Sequence, residues 1–160
     1  MNNSLKNTLV NICSGYTFLI ASVHMGLMVS LVLFWYPSWE GLTVDTIANN
    51  FGIPAILATK LFVILIPIML LTTLIMIIAE WRTSLKWPAI VVFLGILGSS
   101  MTAKYLIFPI NDILYAGVPS NEELTPLLMK WMKFNNWRVF FSVLTWTGIF
   151  TYYTMKANPN

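Results

Sequence analysis

The polar stretch that decides the fold lies at residues 104–138 and reads KYLIFPINDILYAGVPSNEELTPLLMKWMKFNNWR. It contains four of the nine basic residues and three of the six acidic residues, and the sequence on both of its sides is mostly apolar. Polar segments between apolar ones are typical of connections between membrane spans. Such a connection is where a small membrane protein has room for recognition or chemistry.

Composition places the whole chain in a membrane. Hydrophobic residues make up 58% of the 160 residues and charged residues only 9%, against about 25% charged residues in ordinary globular proteins. A helix needs about 20 mostly apolar residues to cross a bilayer. Four stretches qualify, at residues 9–35, 53–79, 87–108 and 138–155. We therefore predict an all-α polytopic membrane protein with one domain, residues 1–160, folded as a four-helix transmembrane bundle with a polar outer cap.

The distribution of lysine and arginine predicts the orientation, because cytoplasmic connections carry an excess of both. With four spans, Lys6, Arg82, Lys86 and Lys156 fall on one side together with the single acid Glu80. The other five acids fall on the opposite side. We predict a plasma (inner) membrane protein with both termini cytoplasmic, whose formal charge of +3 reflects topology and not a nucleic-acid surface.

Local signals predict where the helices begin and end. Pro37 is expected to end the first span, and residues 43–50 are expected to form a short surface helix. The sequence from Ser120 to Glu123 matches a capping box, which would start a short amphipathic helix before the last span.

Small residues predict tight helix packing. They recur at Ser22, Gly26 and Ser30 in the first span, and at Gly95 and Gly98 in the third.

Ionisable residues inside a span are costly and mark candidate sites. His24 lies roughly 18 Å from Tyr36 at 1.5 Å per residue, so it is near the midplane. Lys60, Lys104 and Arg138 fall in the outer half. The alternatives are that Lys60 and Lys104 extend into the headgroups, that Arg138 pairs with lipid phosphate, and that His24 is a hydrogen-bonded structural residue.

Motifs of other site classes are missing from the sequence. It contains no Gly-rich phosphate loop, no CxxC and no HExxH, and its single cysteine cannot form an intrachain disulfide. A lone histidine makes a weak metal site, because zinc and copper sites recruit three or four ligands. Two possibilities for a cofactor remain open. The protein has no cofactor, or it binds a haem or a metal through His24.

The sequence FPIND at 108–112, followed by KWMKFNNWR at 130–138, resembles the anthrone-oxygenase-like family of small four-span membrane proteins. The family pattern has Pro-x-Asn after the third span, then a Trp and an Arg entering the fourth. Pro109, Asn111, Trp131 and Arg138 match these positions. Many relatives carry a His shortly before the Arg, where this chain has Asn135 or Asn136. The resemblance implies an oxidoreductase of lipid-soluble aromatic or quinone-like molecules.

The residues themselves are compatible with such chemistry, since a phenol becomes reactive towards oxygen when it is deprotonated. His24 is the candidate base, and Arg138 or Lys104 would stabilise the phenolate. We predict these three as catalytic residues.

Four further residues are predicted to bind the substrate. Asn111 and Asn136 would orient its oxygens by hydrogen bonds, and Tyr105 and Trp131 would stack on its ring. The alternative function is a non-enzymatic accessory subunit of a larger membrane complex. The predicted partners are the lipid bilayer, a small aromatic molecule, and either copies of this chain or a larger membrane complex, with no nucleic acid.

Overall fold

The computed structural model describes residues 3–158, so residues 1, 2, 159 and 160 of the predicted domain lie outside the described residues. The described chain is all-helical and contains no β-strand. Its α-helices are α1 (Asn3–Ser30), α2 (Tyr36–Trp39), α3 (Ile53–Ala79), α4 (Lys86–Thr102), α5 (Phe108–Ala116) and α6 (Asn121–Ala157). Three π-helical segments join them, π1 (Leu31–Trp35), π2 (Ala48–Gly52) and π3 (Ala103–Ile107).

Three continuous helical stretches are long and apolar enough to cross a membrane. They are Ser4–Trp39, Ala48–Ala79 and Lys86–Ala116, with mean hydropathies of 2.1, 3.0 and 1.8. The protein is therefore a helical membrane protein. The helix α6 is longer, at 37 residues, but its polar first half lowers its hydropathy.

Each π segment is followed two residues later by a proline, at Pro37, Pro54 and Pro109. A proline inside an α-helix lacks an N–H donor, and its ring collides with the carbonyl group four residues earlier. The wider π turn shifts the hydrogen-bonding partner by one residue, which relieves this collision. The prediction that Pro37 ends the first span is therefore wrong, and the helix continues to Trp39.

Two other predicted helices differ from the structure. The surface helix at 43–50 does not form, because residues 43–46 make a turn and π2 runs directly into α3. The amphipathic segment before the last span is not a separate helix but the first half of the continuous α6. Its predicted start is confirmed, since the Ser120 hydroxyl accepts a hydrogen bond from the Glu123 backbone N–H at 3.4 Å.

Glycines allow α4 and α6 to pack with their backbones close together. A Cβ atom on Gly95 would collide with the Thr145 hydroxyl and lie 3.0 Å from the Phe141 carbonyl oxygen. A Cβ atom on Gly148 would lie 3.1 Å from the backbone nitrogen of Val92. The predicted packing role of Gly95 is confirmed. Gly26 instead faces open space, with nothing within 4 Å of a Cβ atom built on it.

Two apolar cores stabilise the bundle. One lies between α1, α3, α4 and α6 and includes Met69, Met76, Val92 and Ile149. The other lies at the end with the π segments and combines aromatic rings with aliphatic residues of α5 and α6. Residues associated with both cores form the walls of one cavity.

Candidate functional site

A cavity of about 410 Å³ lies among α1, α3, α4, α5 and α6, next to the π segments. Its wall is mainly apolar, and the polar side chains in it are few. They are His24, Thr59, Ser99, Ser100, Asn111 and Arg138, together with the indoles of Trp35, Trp39 and Trp131. An apolar pocket with a few convergent polar groups is the usual form of a small-molecule site.

Arg138 brings a positive charge to this wall. Its Nη1 donates a hydrogen bond to the Asn135 side-chain oxygen at 2.9 Å, while its Nε is buried without a partner. No carboxylate of residues 3–158 forms an ion pair with the guanidinium. An arginine side chain has five N–H donors and keeps its charge in proteins. Most of its bonding capacity is therefore free for a ligand that carries acceptors.

Asn135 fixes the position of Arg138. It is fully buried, and its amide nitrogen donates a hydrogen bond to the Tyr36 hydroxyl at 2.9 Å. The Tyr36 hydroxyl in turn donates to the Met132 carbonyl oxygen at 3.4 Å. This chain of bonds ties α2 to α6 and holds the guanidinium at the cavity.

Asn136, the asparagine predicted for the site, is exposed and does not line the cavity. The helical spacing contained the missing signal, because residues three apart lie on the same face and Asn135 precedes Arg138 by three.

The adjacent asparagines provide a matched test of this network. We expect Asn135→Ala to destabilise the protein by about 1–3 kcal/mol, because it removes the acceptor of the Arg138 guanidinium and the donor to the Tyr36 hydroxyl. Asn136→Ala should change stability by less than about 0.5 kcal/mol, as for most surface positions. Thermal unfolding of both variants in the same detergent measures the difference. Equal midpoints would contradict a stabilising role for Asn135.

Aromatic rings form the end of the cavity beside π2. Trp39 and Trp131 meet edge to face with their ring centres 5.4 Å apart, and Phe51 completes the cluster at 5.0 and 5.2 Å. The Trp131 indole donates a hydrogen bond to the Asn111 side-chain oxygen at 2.8 Å. The Trp39 indole nitrogen is buried without a partner. Sequence reasoning did not select Trp39, because the first span was expected to end before it.

His24 lies in the wall on α1 and is only 6% exposed. Its ring meets the edge of Phe62 with centroids 5.0 Å apart and forms no hydrogen bond with any described residue. The alternative of a hydrogen-bonded structural histidine therefore does not hold for the described residues. A neutral imidazole without such a bond can accept a proton from a ligand.

Residues 3–158 contain no group of three or more His, Cys, Asp or Glu side chains that could hold a metal ion. A haem or metal bound through His24 stays a prediction.

Three of the predicted site residues lie outside the cavity. Lys104 and Tyr105 are exposed on π3, where the Lys104 ammonium lies 5.4 Å from the centre of the Tyr105 ring. Asn136 is exposed as described above. Lys60 is also exposed and lines a separate groove with Asp112. The structure thus brings together His24, Asn111, Trp131 and Arg138, and we leave Lys104, Tyr105 and Asn136 out of the candidate site.

No family model, curated protein or solved structure matches this chain. The resemblance to the anthrone-oxygenase-like family stays a hypothesis, carried by Pro109, Asn111, Trp131 and Arg138.

Proposed function

We propose that this protein is a membrane-embedded oxidoreductase that acts on a lipid-soluble aromatic, quinone-like molecule. The observation that carries the proposal is the composition of one cavity wall. An arginine without an ionic partner, a histidine without a hydrogen bond and three tryptophans line a mainly apolar space. This combination suits a planar apolar ring that carries oxygen atoms.

The proposed reaction begins with the transfer of a phenolic proton to His24. The resulting phenolate oxygen accepts hydrogen bonds from Arg138, whose charge stabilises the anion in a site of low dielectric constant. Dioxygen is the proposed oxidant. In the simplest case, a hydroquinone loses two electrons and two protons and becomes a quinone, while dioxygen gains both and becomes hydrogen peroxide. His24 returns the first proton to the reduced oxygen.

We further propose that α6 is the fourth membrane span. Residues 139–155 contain no charged side chain and extend over about 25 Å at 1.5 Å per residue. They pack antiparallel along α4, since Phe141 lies at Gly98 and Gly148 lies at Val92. Because α4 belongs to an apolar stretch long enough to cross a membrane, its packing against α6 supports the proposal that α6 crosses the membrane beside it. The lysine and arginine distribution supports cytoplasmic termini in a plasma (inner) membrane.

The proposal is tested with the isolated chain in detergent or nanodiscs. Menadione, a small naphthoquinone, is titrated while tryptophan fluorescence is recorded, and oxygen uptake is measured with its hydroquinone, menadiol. We expect saturable quenching and oxygen uptake well above the rate of autoxidation. Trp39→Phe should reduce the quenching, whereas Trp87→Phe, at an exposed position that does not line the cavity, should not.

Two outcomes would contradict the proposal. One is quenching that does not saturate, and the other is oxygen uptake equal to that of a protein-free sample. An inert chain that copurifies with a larger complex would favour the alternative of an accessory subunit.

A further inference from the structure

The hydrogen-bonding groups that remain free in the cavity wall are mostly donors. The Arg138 Nε and the Trp39 indole nitrogen have no partner and are buried within the wall, and the Asn111 amide nitrogen forms no hydrogen bond with a described residue. The side-chain amide oxygens nearby are already engaged, that of Asn111 by Trp131 and that of Asn135 by Arg138, while the hydroxyl groups of Thr59, Ser99 and Ser100 can either donate or accept. A ligand that satisfies this wall must therefore supply acceptors.

The formal charge of the wall is positive, which also favours a ligand that carries acceptors. Arg138 is the one charged side chain that lines the cavity, and no Asp or Glu of the described chain lies in the wall. Its hydrogen-bonded partner, Asn135, is neutral. Burying an unpaired charge is costly, and pairing it with an opposite charge offsets the cost. A ligand with one negative charge would bring the formal charge of the occupied site to zero.

We propose that the cavity binds its ligand as a monoanion, with the charged oxygen at Arg138 and the ring against Trp39 and Trp131. This inference rests on the proposed function and specifies its substrate class as acidic hydroxyaromatic compounds, such as hydroxyquinones. Strong acids of this class arrive already ionised. Weaker phenols lose their proton to His24, so the bound form is the anion in both cases, but only an acid that arrives ionised cancels the charge of Arg138, because the proton of a weaker phenol stays on His24.

The experiment compares two ligands that differ mainly in charge. Lawsone, a hydroxynaphthoquinone, is ionised at neutral pH, and its methyl ether is neutral. Dissociation constants are measured by tryptophan quenching in phosphatidylcholine nanodiscs and corrected for partition into lipid. Hydrogen bonds to charged groups contribute about 1.5–3 kcal/mol, so lawsone should bind roughly 10- to 100-fold more tightly.

Substitution of Arg138 should remove this preference. Arg138→Gln is expected to weaken lawsone binding by roughly 10- to 100-fold and to leave binding of the methyl ether nearly unchanged. Lys104→Gln removes a cation outside the cavity and should preserve the preference. Arg138→Lys keeps the charge and should retain part of the preference, which covers the case that the glutamine variant does not fold.

Each result has a defined meaning. Equal binding of both ligands by the unchanged protein would contradict binding as a monoanion and leave the proposed function standing. Absence of binding of either ligand would contradict both the monoanion site and the proposed function. A preference that survives in Arg138→Gln would overturn the assignment to Arg138.

A lipid phosphate offers the same anionic chemistry. If it is the natural occupant, phosphatidylglycerol nanodiscs will weaken lawsone binding by competition and spare the methyl ether. That result would support the anion site and overturn an aromatic acid as its natural ligand.

Discussion

Replacement of His24 by alanine is expected to lower menadiol oxidation by about 100- to 10,000-fold, the usual contribution of a positioned general base. Menadione binding should change by less than about threefold, because the other polar and aromatic groups of the wall remain. In the proposed reaction only His24 accepts the phenolic proton, and no described residue forms a hydrogen bond with its ring nitrogens. The measurement is oxygen uptake at saturating menadiol, alongside fluorescence titration of the same sample.

The neighbouring Met25 provides the control, since it lies on the same helix but does not line the cavity. Met25→Ala should oxidise menadiol at the rate of the unchanged protein. A His24→Ala variant that retains full activity would contradict the assigned role.

A visible absorption spectrum before and after dithionite, with metal analysis, tests the haem or metal option. A signal lost in His24→Ala would identify a metal centre at that residue.

Replacement of Gly95 by alanine is expected to destabilise the bundle by about 1–3 kcal/mol, the usual cost of overpacking. The new methyl group would collide with the Thr145 hydroxyl and approach two backbone atoms of α6 to 3.0 Å. A backbone cannot move aside as a flexible side chain can, so α4 and α6 must separate. The expected decrease in the thermal unfolding midpoint is roughly 2–12 °C.

Gly26→Ala is the matched control, because the added methyl group meets nothing within 4 Å. Alanine favours a helix over glycine by about 0.5–1 kcal/mol, so this variant should unfold at the same temperature or slightly higher. Equal midpoints for Gly95→Ala and Gly26→Ala would show that α4 and α6 do not pack as closely as described.

Several parts of this architecture could be predicted from sequence because they depend on composition alone. Long apolar runs cannot remain in water, which predicts membrane helices without any knowledge of their packing. A charged or titratable residue inside such a run is costly, which selects His24 and Arg138 as candidates, together with Lys60 and Lys104, which do not line the cavity. The Ser120 cap depends only on adjacent residues, and it is confirmed.

The other parts depend on the angular position of each side chain around its helix. The spacing of three residues places Asn135 on the same face of α6 as Arg138, but its contact with Tyr36 also requires the phase of α6 relative to α2, which the sequence of α6 alone does not contain. Lys104 and Tyr105 lie within π3, where the wider turn changes which side chains face inward. Trp39 lines the cavity only because the helix continues beyond Pro37. None of these three outcomes leaves a pattern in the hydrophobicity.

The π segments have a consequence for the length of the chain. A single π turn is equivalent to one residue inserted into an α-helix, so deleting one residue would restore regular α geometry. Every side chain beyond the deletion would then rotate by about 100° relative to those before it. Between α4 and α5, such a rotation would carry Asn111 away from Trp131. Proteins built on the same plan without these segments would align with one-residue gaps at 31–35, 48–52 and 103–107, and their cavity walls would present different side chains.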